Sequence, residues 1–152
     1  MTYTKDGEPK LPKITIIKNI KAERQHTFDV IANYEKFQDI VPKYYPSIRV
    51  RSMRENIAIV EEHMKLGDKE LIMTTKHITK YPESHDIFVL GGDIKGTHIS
   101  EIYEKTEQGT KLTIIADIKL NGIMKLASIF GKSKVVPEFN KVIDEFCKIA
   151  ES

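Results

Sequence analysis

The order of secondary-structure signals along the chain is the sequence feature that most restricts the fold. One run rich in β-branched residues, Lys13–Ile20, comes first and leads into a short helical stretch. Residues 47–120 then carry a nearly continuous strand pattern, and one long apolar-striped helix is predicted over Gly122–Ala150. We expect this helix to bury its stripe against the strands before it, and the strands to curve around it. The space left between sheet and helix would then decide what the protein does.

The composition is typical of one folded globular domain. The 152 residues are 40% hydrophobic and 30% charged, which argues against intrinsic disorder. Met1–Pro12 is polar and contains two prolines, so we expect a flexible tail there and a single domain over residues 13–152. The 24 basic and 22 acidic residues give a net charge of +2, which is too small to favour binding of nucleic acid.

Several features of the chain predict a cytoplasmic protein. No apolar run approaches the roughly 18 residues that a membrane span needs, so stable membrane insertion is not expected. The polar N-terminal residues do not resemble a secretory signal. Cys147 is the single cysteine, so no disulfide can form within the chain.

Two short helices are predicted after the first strand. The first covers Ala22–Ala32, where apolar residues lie three apart, and the second covers Asn33–Ile40. Pro42 ends the second helix, because the residue before a proline is disfavoured in the helical region. The residues that follow, Lys43–Pro46, are predicted to form an aromatic loop.

Six further strands are predicted, separated by turns that contain glycine, proline, asparagine or aspartate. Short turns of this kind connect neighbouring antiparallel strands, so we expect a meander. The predicted strands are Ser47–Arg54, Ile57–Leu66, Glu70–Thr79, His85–Leu90, Lys95–Lys105 and Thr110–Leu120.

The last strand and the final helix have the clearest patterns. In the strand, an apolar set alternates with a mostly polar set, which predicts one buried face and one exposed face. Pro137 lies inside the helix pattern, where it either kinks a continuous helix or begins a second one. We favour a continuous, kinked helix.

Two segments match a known pattern of strands, helices and turns. Ile14–Pro42 (ITIIKNIKAERQHTFDVIANYEKFQDIVP) is similar to an opening strand and helix with an aromatic residue at Phe28, and Gly91–Ile118 (GGDIKGTHISEIYEKTEQGTKLTIIADI) is similar to a closing hairpin. Over roughly residues 13–150 the chain resembles the START-like superfamily, also called SRPBCC or polyketide cyclase/dehydrase, near its coenzyme-Q-binding-like members.

The resemblance implies an α+β helix-grip fold. In that fold a seven-stranded curved antiparallel sheet wraps around a long C-terminal helix, and two short helices follow the first strand. It also implies a hydrophobic cavity between sheet and helix, which different members use for lipids, quinones, polyketides or hormones. The superfamily has no invariant catalytic motif and includes both enzymes and carriers, so function has to be argued from the site itself.

Alternation along the strands predicts which side chains line this cavity. On Glu70–Thr79 the less charged set is assigned inward, and its Leu, Met, Thr and His side chains suit a ligand with an apolar body and one polar head. The predicted ligand-binding residues are Val60, Met64, Leu71, Met73, Thr75, His77, Phe88, Leu112, Ile114, Ala116, Ile118, Met124, Ile129, Phe130 and Phe139.

Glu62, His77 and Tyr103 are the candidate acids and bases if the cavity catalyses a reaction. Glu62 shares a face with Val60 and Met64, and an inward carboxylate must be paired, hydrogen-bonded or protonated. If Glu62 and His77 meet, they can pass a proton, but the strand register is not readable and His77 could instead lie in solvent at a strand end. The Tyr103 hydroxyl would bind a ligand head group or point into water.

No metal or other cofactor is predicted. The five histidines show no HxH or HxxxH spacing, and Cys147 has no partner cysteine. The glycines form neither a dinucleotide-binding nor a P-loop motif.

The rim of the cavity is predicted at Lys43–Pro46 and Gly122–Phe130. The second segment is notably apolar and would act as an adaptable gate, or else complete the core or a dimer contact.

The favoured function is binding or transport of a hydrophobic small molecule of lipid, isoprenoid or quinone type in the cavity. The alternative is a polyketide cyclase or dehydratase acting on a ligand in the same cavity. A third class is a protein that acts through a protein partner or as a homodimer. The cavity with few inward polar groups favours holding a molecule over transforming one.

Overall fold

The computed structural model describes residues 2–3, 9–10, 13–119 and 132–152. A two-stranded ladder, β1 (Thr2–Tyr3) with β2 (Pro9–Lys10), lies within the segment predicted to be a loose tail. The other strands form one seven-stranded sheet. They are β3 (Ile14–Ile20), β4 (Ser47–Arg54), β5 (Ile57–Leu66), β6 (Lys69–Lys80), β7 (Ser84–Gly92), β8 (His98–Thr106) and β9 (Gly109–Asp117).

The sheet is antiparallel throughout, with the order β3-β9-β8-β7-β6-β5-β4. Each strand of the meander pairs with the next one in sequence, as short turns require. β3 adds to the far edge beside β9, where Ile14 pairs with Ala116. The first strand of the sheet is therefore held by the last.

The helices are α1 (Arg24–Ile31), α2 (Phe37–Ile40) and α3 (Lys132–Glu151), with a 3₁₀ turn at Tyr34–Lys36. The two predicted short helices are confirmed with small changes in their bounds. α3 runs without a break through Pro137, as predicted for this part of the helix. Residues 122–131 of the predicted helix lie outside the described residues.

Irregular pairing at two places accompanies the curvature of the sheet. The register of β4 against β5 shifts between Val50 and Ser52, and that of β6 against β7 shifts between Thr74 and Thr75. Such bulges bend a strand and increase its local twist. The bent sheet lies around α3, and this arrangement confirms the predicted helix-grip fold.

α3 packs on the concave side of the sheet through one apolar stripe. Its buried residues recur at helical spacing, so the opposite face is left for charged side chains. They are Val135, Val142, Ile143, Phe146 and Ala150. The Phe146 ring lies 4.9 Å from the ring of Phe37 in α2, and Lys18 of β3 forms a 2.7 Å ion pair with Asp144. Two elements from the N-terminal part of the domain, β3 and α2, thus both contact α3.

Buried threonines and an aromatic ring fix α1 against the sheet. The Thr110 hydroxyl donates to the carbonyl oxygen of Ala22 over 2.8 Å, and Thr110 is also hydrogen-bonded to Thr27 of α1 over 3.3 Å. Phe28 contacts Tyr103 of β8 with ring centroids 5.0 Å apart. These contacts close one end of the interior.

The eighth strand begins later than predicted. Lys95 was predicted as its first residue, but the strand begins at His98. Ile94 and Gly96 have positive φ angles of 51° and 93°, so the chain is still turning there. At the end of the sheet, β9 stops at Asp117, and the Lys119 amide donates to the Thr97 hydroxyl over 3.0 Å.

Within the described residues, no helix combines the length and the apolar character needed to cross a membrane.

Gly109 provides a test of how the first helix and the last hairpin meet. Its φ is +144°, and a Cβ there would lie 2.2 Å from the carbonyl oxygen of Ile20. We expect Gly109→Ala to lower the free energy of unfolding by roughly 1–3 kcal/mol, measured by urea denaturation. Gly91→Ala is the matched control, because a Cβ at Gly91 would meet nothing within 4 Å. It should change the free energy by less than about 0.5 kcal/mol. Equal effects of the two substitutions would contradict this account.

Candidate functional site

One face of β5 and one face of β6 point into the interior. Burial alternates along both strands, and the buried sets are the two faces predicted to point inward, which confirms that assignment. The buried residues are Ala58, Val60, Glu62, Met64 and Leu66 on β5, and Leu71, Met73, Thr75 and His77 on β6. Two ionisable side chains, Glu62 and His77, therefore lie among apolar ones.

The interior contains a first cavity of about 60 Å³ between the sheet and α3. Its wall is almost wholly apolar, with one carboxyl group and three hydroxyl-bearing side chains. The lining residues are Tyr45, Glu62, Met64, Leu66, Leu71, Met73, Thr75, Ile87, Val89, Ile94, Thr97, Ile99, Ile118, Val135 and Phe139.

A second cavity of about 40 Å³ lies beside the first. Four side chains line both cavities and separate them: Tyr45, Ile87, Ile99 and Phe139. Glu101 is the carboxyl group in the lining of the second cavity. The remaining lining residues are Ile31, Phe37, Ile114, Val142, Ile143 and Phe146. Each cavity thus has one carboxyl group in its wall.

A chain of buried hydrogen bonds joins the two carboxyl groups across four strands. Oε2 of Glu62 lies 3.1 Å from Nε2 of His77, and Nδ1 of His77 lies 2.7 Å from Nε2 of His85. Nδ1 of His85 in turn lies 2.8 Å from Oε1 of Glu101. The two histidine side chains are fully buried.

Hydroxyl groups complete both ends of this chain. Thr75 donates to Oε2 of Glu62 and also lies 3.1 Å from Nε2 of His77. Tyr103 donates to Oε1 of Glu101 over 2.7 Å. Unpaired buried polar groups are costly. The hydrogen bonds among these six polar side chains therefore allow them to lie buried on the inner face of the sheet.

The electrostatics of the first carboxyl group are set by its partners. Burial alone raises the pKa of Glu62, but hydrogen bonds from His77 and Thr75 and the charges of His77 and His85 lower it, and the net direction is down. Glu62 is therefore held as a carboxylate beside the histidines. Such a group accepts hydrogen bonds or a proton from whatever enters the first cavity.

Two tyrosines near these carboxylates remain neutral, the partly buried Tyr45 and the buried Tyr103. Burial raises the pKa of Tyr45 well above its usual value, and the charges of Glu62 and Glu101 add to this. Burial and the neighbouring Glu101 also raise the pKa of Tyr103 well above its usual value. Both phenols therefore keep their proton and can donate a hydrogen bond, as Tyr103 does to Glu101.

The predicted site residues fall into distinct places. Those in the wall of the first cavity are Met64, Leu71, Met73, Thr75, Ile118 and Phe139, together with Glu62; Ile114 is in the wall of the second. Val60, Leu112 and Ala116 are buried in the core but line neither cavity. Met124, Ile129 and Phe130 lie outside the described residues. Whether any of these residues binds a ligand stays a prediction.

Phe88 was predicted to line the cavity, and this is wrong. It pairs directly with Lys76, whereas Ile87 pairs with His77, so Phe88 shares the outer face of the sheet. There its ring stacks on His98 at a centroid distance of 4.2 Å. A one-residue error in register moves every side chain of a strand to the opposite face.

His77 and Tyr103 are both buried, whereas one alternative from the sequence placed the His77 side chain and the Tyr103 hydroxyl in solvent. His77 is 1% exposed, so the reading of a solvated strand end is wrong. Tyr103 is also 1% exposed, and its hydroxyl binds Glu101 rather than water. It lines neither cavity, so a direct contact with a ligand head group is not part of the described geometry.

Sequence reasoning missed His85 and Glu101. Lys80 pairs with Ser84 around a tight turn, and this pairing places His85 opposite Thr79 on the inner face, diagonal to His77. Glu101 then lies directly opposite His85 on β8. The signal that could have found them was the length of the turn between β6 and β7, since turn length fixes the register of a hairpin.

Solved structures with the same fold include proteins of several kinds. The Zhui aromatase/cyclase from Streptomyces sp. R1128 superposes with a TM-score of 0.77 at 12% identity, covering 92% of this chain and 93% of that one. TTHA0849 from Thermus thermophilus gives 0.74 at 13% identity, covering 92% and 94%. Major latex-like protein 151 from Panax ginseng gives 0.70 at 12% identity, covering 93% and 98%.

These likenesses establish the helix-grip fold for this chain. They do not single out the coenzyme-Q-binding-like members. No family model matches the sequence, and no curated protein matches it either.

Removing the Tyr103 hydroxyl tests whether the buried chain of hydrogen bonds stabilises the fold. Tyr103→Phe leaves Glu101 with one donor fewer, so we expect a loss of about 1–3 kcal/mol in the free energy of unfolding in urea. Tyr81→Phe is the control, because Tyr81 is 59% exposed. Its effect should stay within about 0.5 kcal/mol. A Tyr103→Phe protein as stable as the control would contradict the structural role of this bond.

The lowered pKa of Glu62 predicts a pH dependence of stability. Since the pKa is below 4.5 in the folded protein, the carboxylate stabilises the fold fully above that pH, and this contribution is lost as the pH falls through the folded-state pKa. Glu62→Gln should therefore flatten the fall in the free energy of unfolding below pH 4.5. Urea denaturation at a series of pH values measures this. Glu61→Gln, on the opposite face of β5, is the control and should keep the wild-type slope of the free energy of unfolding against pH. An equally steep slope for Glu62→Gln would contradict this prediction.

Proposed function

We propose that this helix-grip protein binds a small apolar molecule that carries one hydrogen-bond-donating group. The observation that supports this most directly is an apolar cavity with the Glu62 carboxylate in its wall. Apolar walls with a few fixed polar groups are the usual composition of small-molecule sites.

The polar end of the proposed ligand follows from the contacts of Glu62. Its bonds to Thr75 and His77, among the described residues, both use Oε2. Oε1 is then the oxygen offered to a ligand. A carboxylate only accepts hydrogen bonds, so the matching head group is a hydroxyl or another donor, as in a phenol or an enol.

The size of the ligand depends on the side chains between the two cavities. Ligand pockets usually measure about 300–1,000 Å³, which is larger than the cavities of about 60 and 40 Å³ here. Tyr45 and Phe139 separate them, and they belong to a loop and to α3 rather than to the sheet. Movement of these two side chains would join the cavities and admit a ligand of bicyclic size or larger.

A second proposal is an enzyme that uses acid–base chemistry in the same cavity, as a cyclase or dehydratase does. The 3.1 Å contact between Glu62 and His77 favours it, since a carboxylate and an imidazole in contact can exchange a proton. The lipid, isoprenoid or quinone type of ligand, a cytoplasmic location, a protein partner and a homodimer remain proposals from the sequence.

Fluorescence titration with 2-naphthol tests the binding proposal. 2-Naphthol has a flat apolar body and one hydroxyl donor, and 2-methoxynaphthalene has the same body without the donor. We expect saturable binding of 2-naphthol at least about tenfold tighter than that of 2-methoxynaphthalene, which corresponds to one hydrogen bond to a charged group.

Two variants test whether 2-naphthol binds at Glu62. Glu62→Gln should remove the preference for 2-naphthol, whereas Glu61→Gln, which changes a carboxylate outside the cavity, should keep it. Equal affinities of the wild-type protein for the two compounds would refute the proposed role of Glu62. Absence of saturable binding of either compound would refute the binding site.

A further inference from the structure

We propose that Glu62 is a general base whose action is supported by a proton relay through His77 and His85 to Glu101. The inference rests on the proposed function, because Glu62 must meet a ligand in the first cavity. It goes beyond that function by assigning a reaction: removal of a proton from an apolar carbonyl compound to give its enolate.

The proton count of the buried chain follows from its three contacts. Two bare nitrogens or oxygens repel each other at 2.7–3.1 Å, and two N–H groups cannot point at one another there. Each contact therefore holds one proton. Two neutral imidazoles supply only two, so the chain carries one more proton than its neutral histidines provide.

The position of that additional proton defines the resting state. With both carboxyl groups ionised, the two imidazoles share three protons and carry one positive charge, so the four groups have a net charge of −1. This state agrees with the lowered pKa of Glu62, which the hydrogen bond from His77 lowers most and the charges of the imidazoles and the hydrogen bond from Thr75 lower further.

When Glu62 takes a proton from the ligand, a second arrangement of the protons in the relay becomes favourable. When Glu62 receives a proton on Oε1, it no longer needs a positive neighbour. The proton on Nδ1 of His77 can then move to Nε2 of His85, and the proton on Nδ1 of His85 can move to Glu101. Every contact still holds one proton, no heavy atom has to move, and all four groups are neutral. A neutral set is favoured in a buried, low-dielectric site.

The proposed step conserves atoms, electrons and charge. The ligand C–H bond beside the carbonyl breaks, the Glu62 O–H bond forms, and the electron pair stays on the ligand as an enolate. Within the relay two N–H bonds break, at His77 and His85, while one N–H bond forms at His85 and one O–H bond at Glu101. The ligand gains one negative charge and the relay loses one, so no other reactant is required.

Other polar groups around the relay are placed to hold it without competing for the proton. Tyr103 and Thr75 donate hydrogen bonds to Glu101 and Glu62. The Tyr34 ring lies over the histidines, with its centroid 4.4 Å from that of His77 and 6.3 Å from that of His85. Burial raises the pKa of Tyr34 and also that of Tyr45, which lines both cavities, so these phenols stay protonated.

Deuterium exchange into 2-tetralone tests the proposed base. This bicyclic ketone has an acidic C–H group beside its carbonyl, and mass spectrometry in heavy water follows its exchange. We expect the wild-type protein to accelerate exchange above the buffer rate. The exchange rate with Glu62→Gln should be about 10²-fold lower than with the wild-type protein, or equal to the buffer rate. Glu61→Gln should exchange like the wild-type protein.

Glu101→Gln separates the relay from a merely structural role. The amide that replaces the Glu101 carboxylate cannot take the relayed proton, so the exchange rate should fall about tenfold or more while 2-tetralone still binds. The pH–rate profile of this variant should also shift, because the positive charge stays on the histidines when Glu62 is protonated. A structural loss would lower the rate without moving the profile. Glu104→Gln, at an exposed position of the same strand, is the control.

A second measurement needs no ligand. Glu62→Gln imitates a protonated Glu62, so the relay predicts that the ring proton of His85 moves from Nδ1 to Nε2. Nitrogen-15 NMR of labelled histidines in the wild-type protein and in Glu62→Gln detects this change. Glu62 does not touch His85, so without the relay the ring proton of His85 would stay on Nδ1.

The outcomes distinguish this inference from the proposed function. If 2-tetralone binds and its exchange stays at the buffer rate, the base assignment is overturned while binding stands. If Glu101→Gln exchanges at the wild-type rate with the wild-type pH profile, or if His85 keeps its Nδ1 proton in Glu62→Gln, the relay is overturned. If neither 2-tetralone nor 2-naphthol binds, the proposed function fails, and the NMR result alone decides the relay.

Discussion

The contact between His77 and His85 is the interaction on which the interior of this protein depends. It joins two histidine–carboxylate pairs that would otherwise be separate from each other on the inner face of the sheet. Buried charges are tolerated only when their partners are complete, and this one contact makes four strands contribute to the same set of partners. His77 and His85 are diagonal neighbours on paired strands, and this placement brings their rings into contact.

Much of the fold was predictable from the sequence because its signals are local. Turn residues separate the strands, alternation marks the inner faces of β5, β6 and β9, and the stripe on α3 has helical spacing. The position of Glu62 and the inward direction of His77 followed from the same alternation. The pairing of β3 with β9 did not, since it joins residues about a hundred positions apart and no local pattern encodes it.

The site was less predictable because it depends on register between strands. Glu62, His77, His85 and Glu101 each lie on a different strand. His85 and Glu101 are paired directly, His77 and His85 are diagonal neighbours, and the pairing partner of Glu62 is Met73, four residues from His77. A shift of one residue, such as the one that misplaced Phe88, exchanges the inner and outer sets of a whole strand. His85 and Glu101 were missed for this reason and not because their residue types are unusual.

The four side chains between the two cavities would impose a threshold on the length of the proposed ligand. A molecule short enough for one cavity would bind without disturbing Tyr45, Ile87, Ile99 or Phe139. A longer molecule would bind only the fraction of protein in which these side chains have moved apart, and its apparent affinity would be reduced by that fraction. Affinity in a homologous series would then change abruptly at one chain length. Protein that had been held open by a first ligand would discriminate less between lengths than empty protein does.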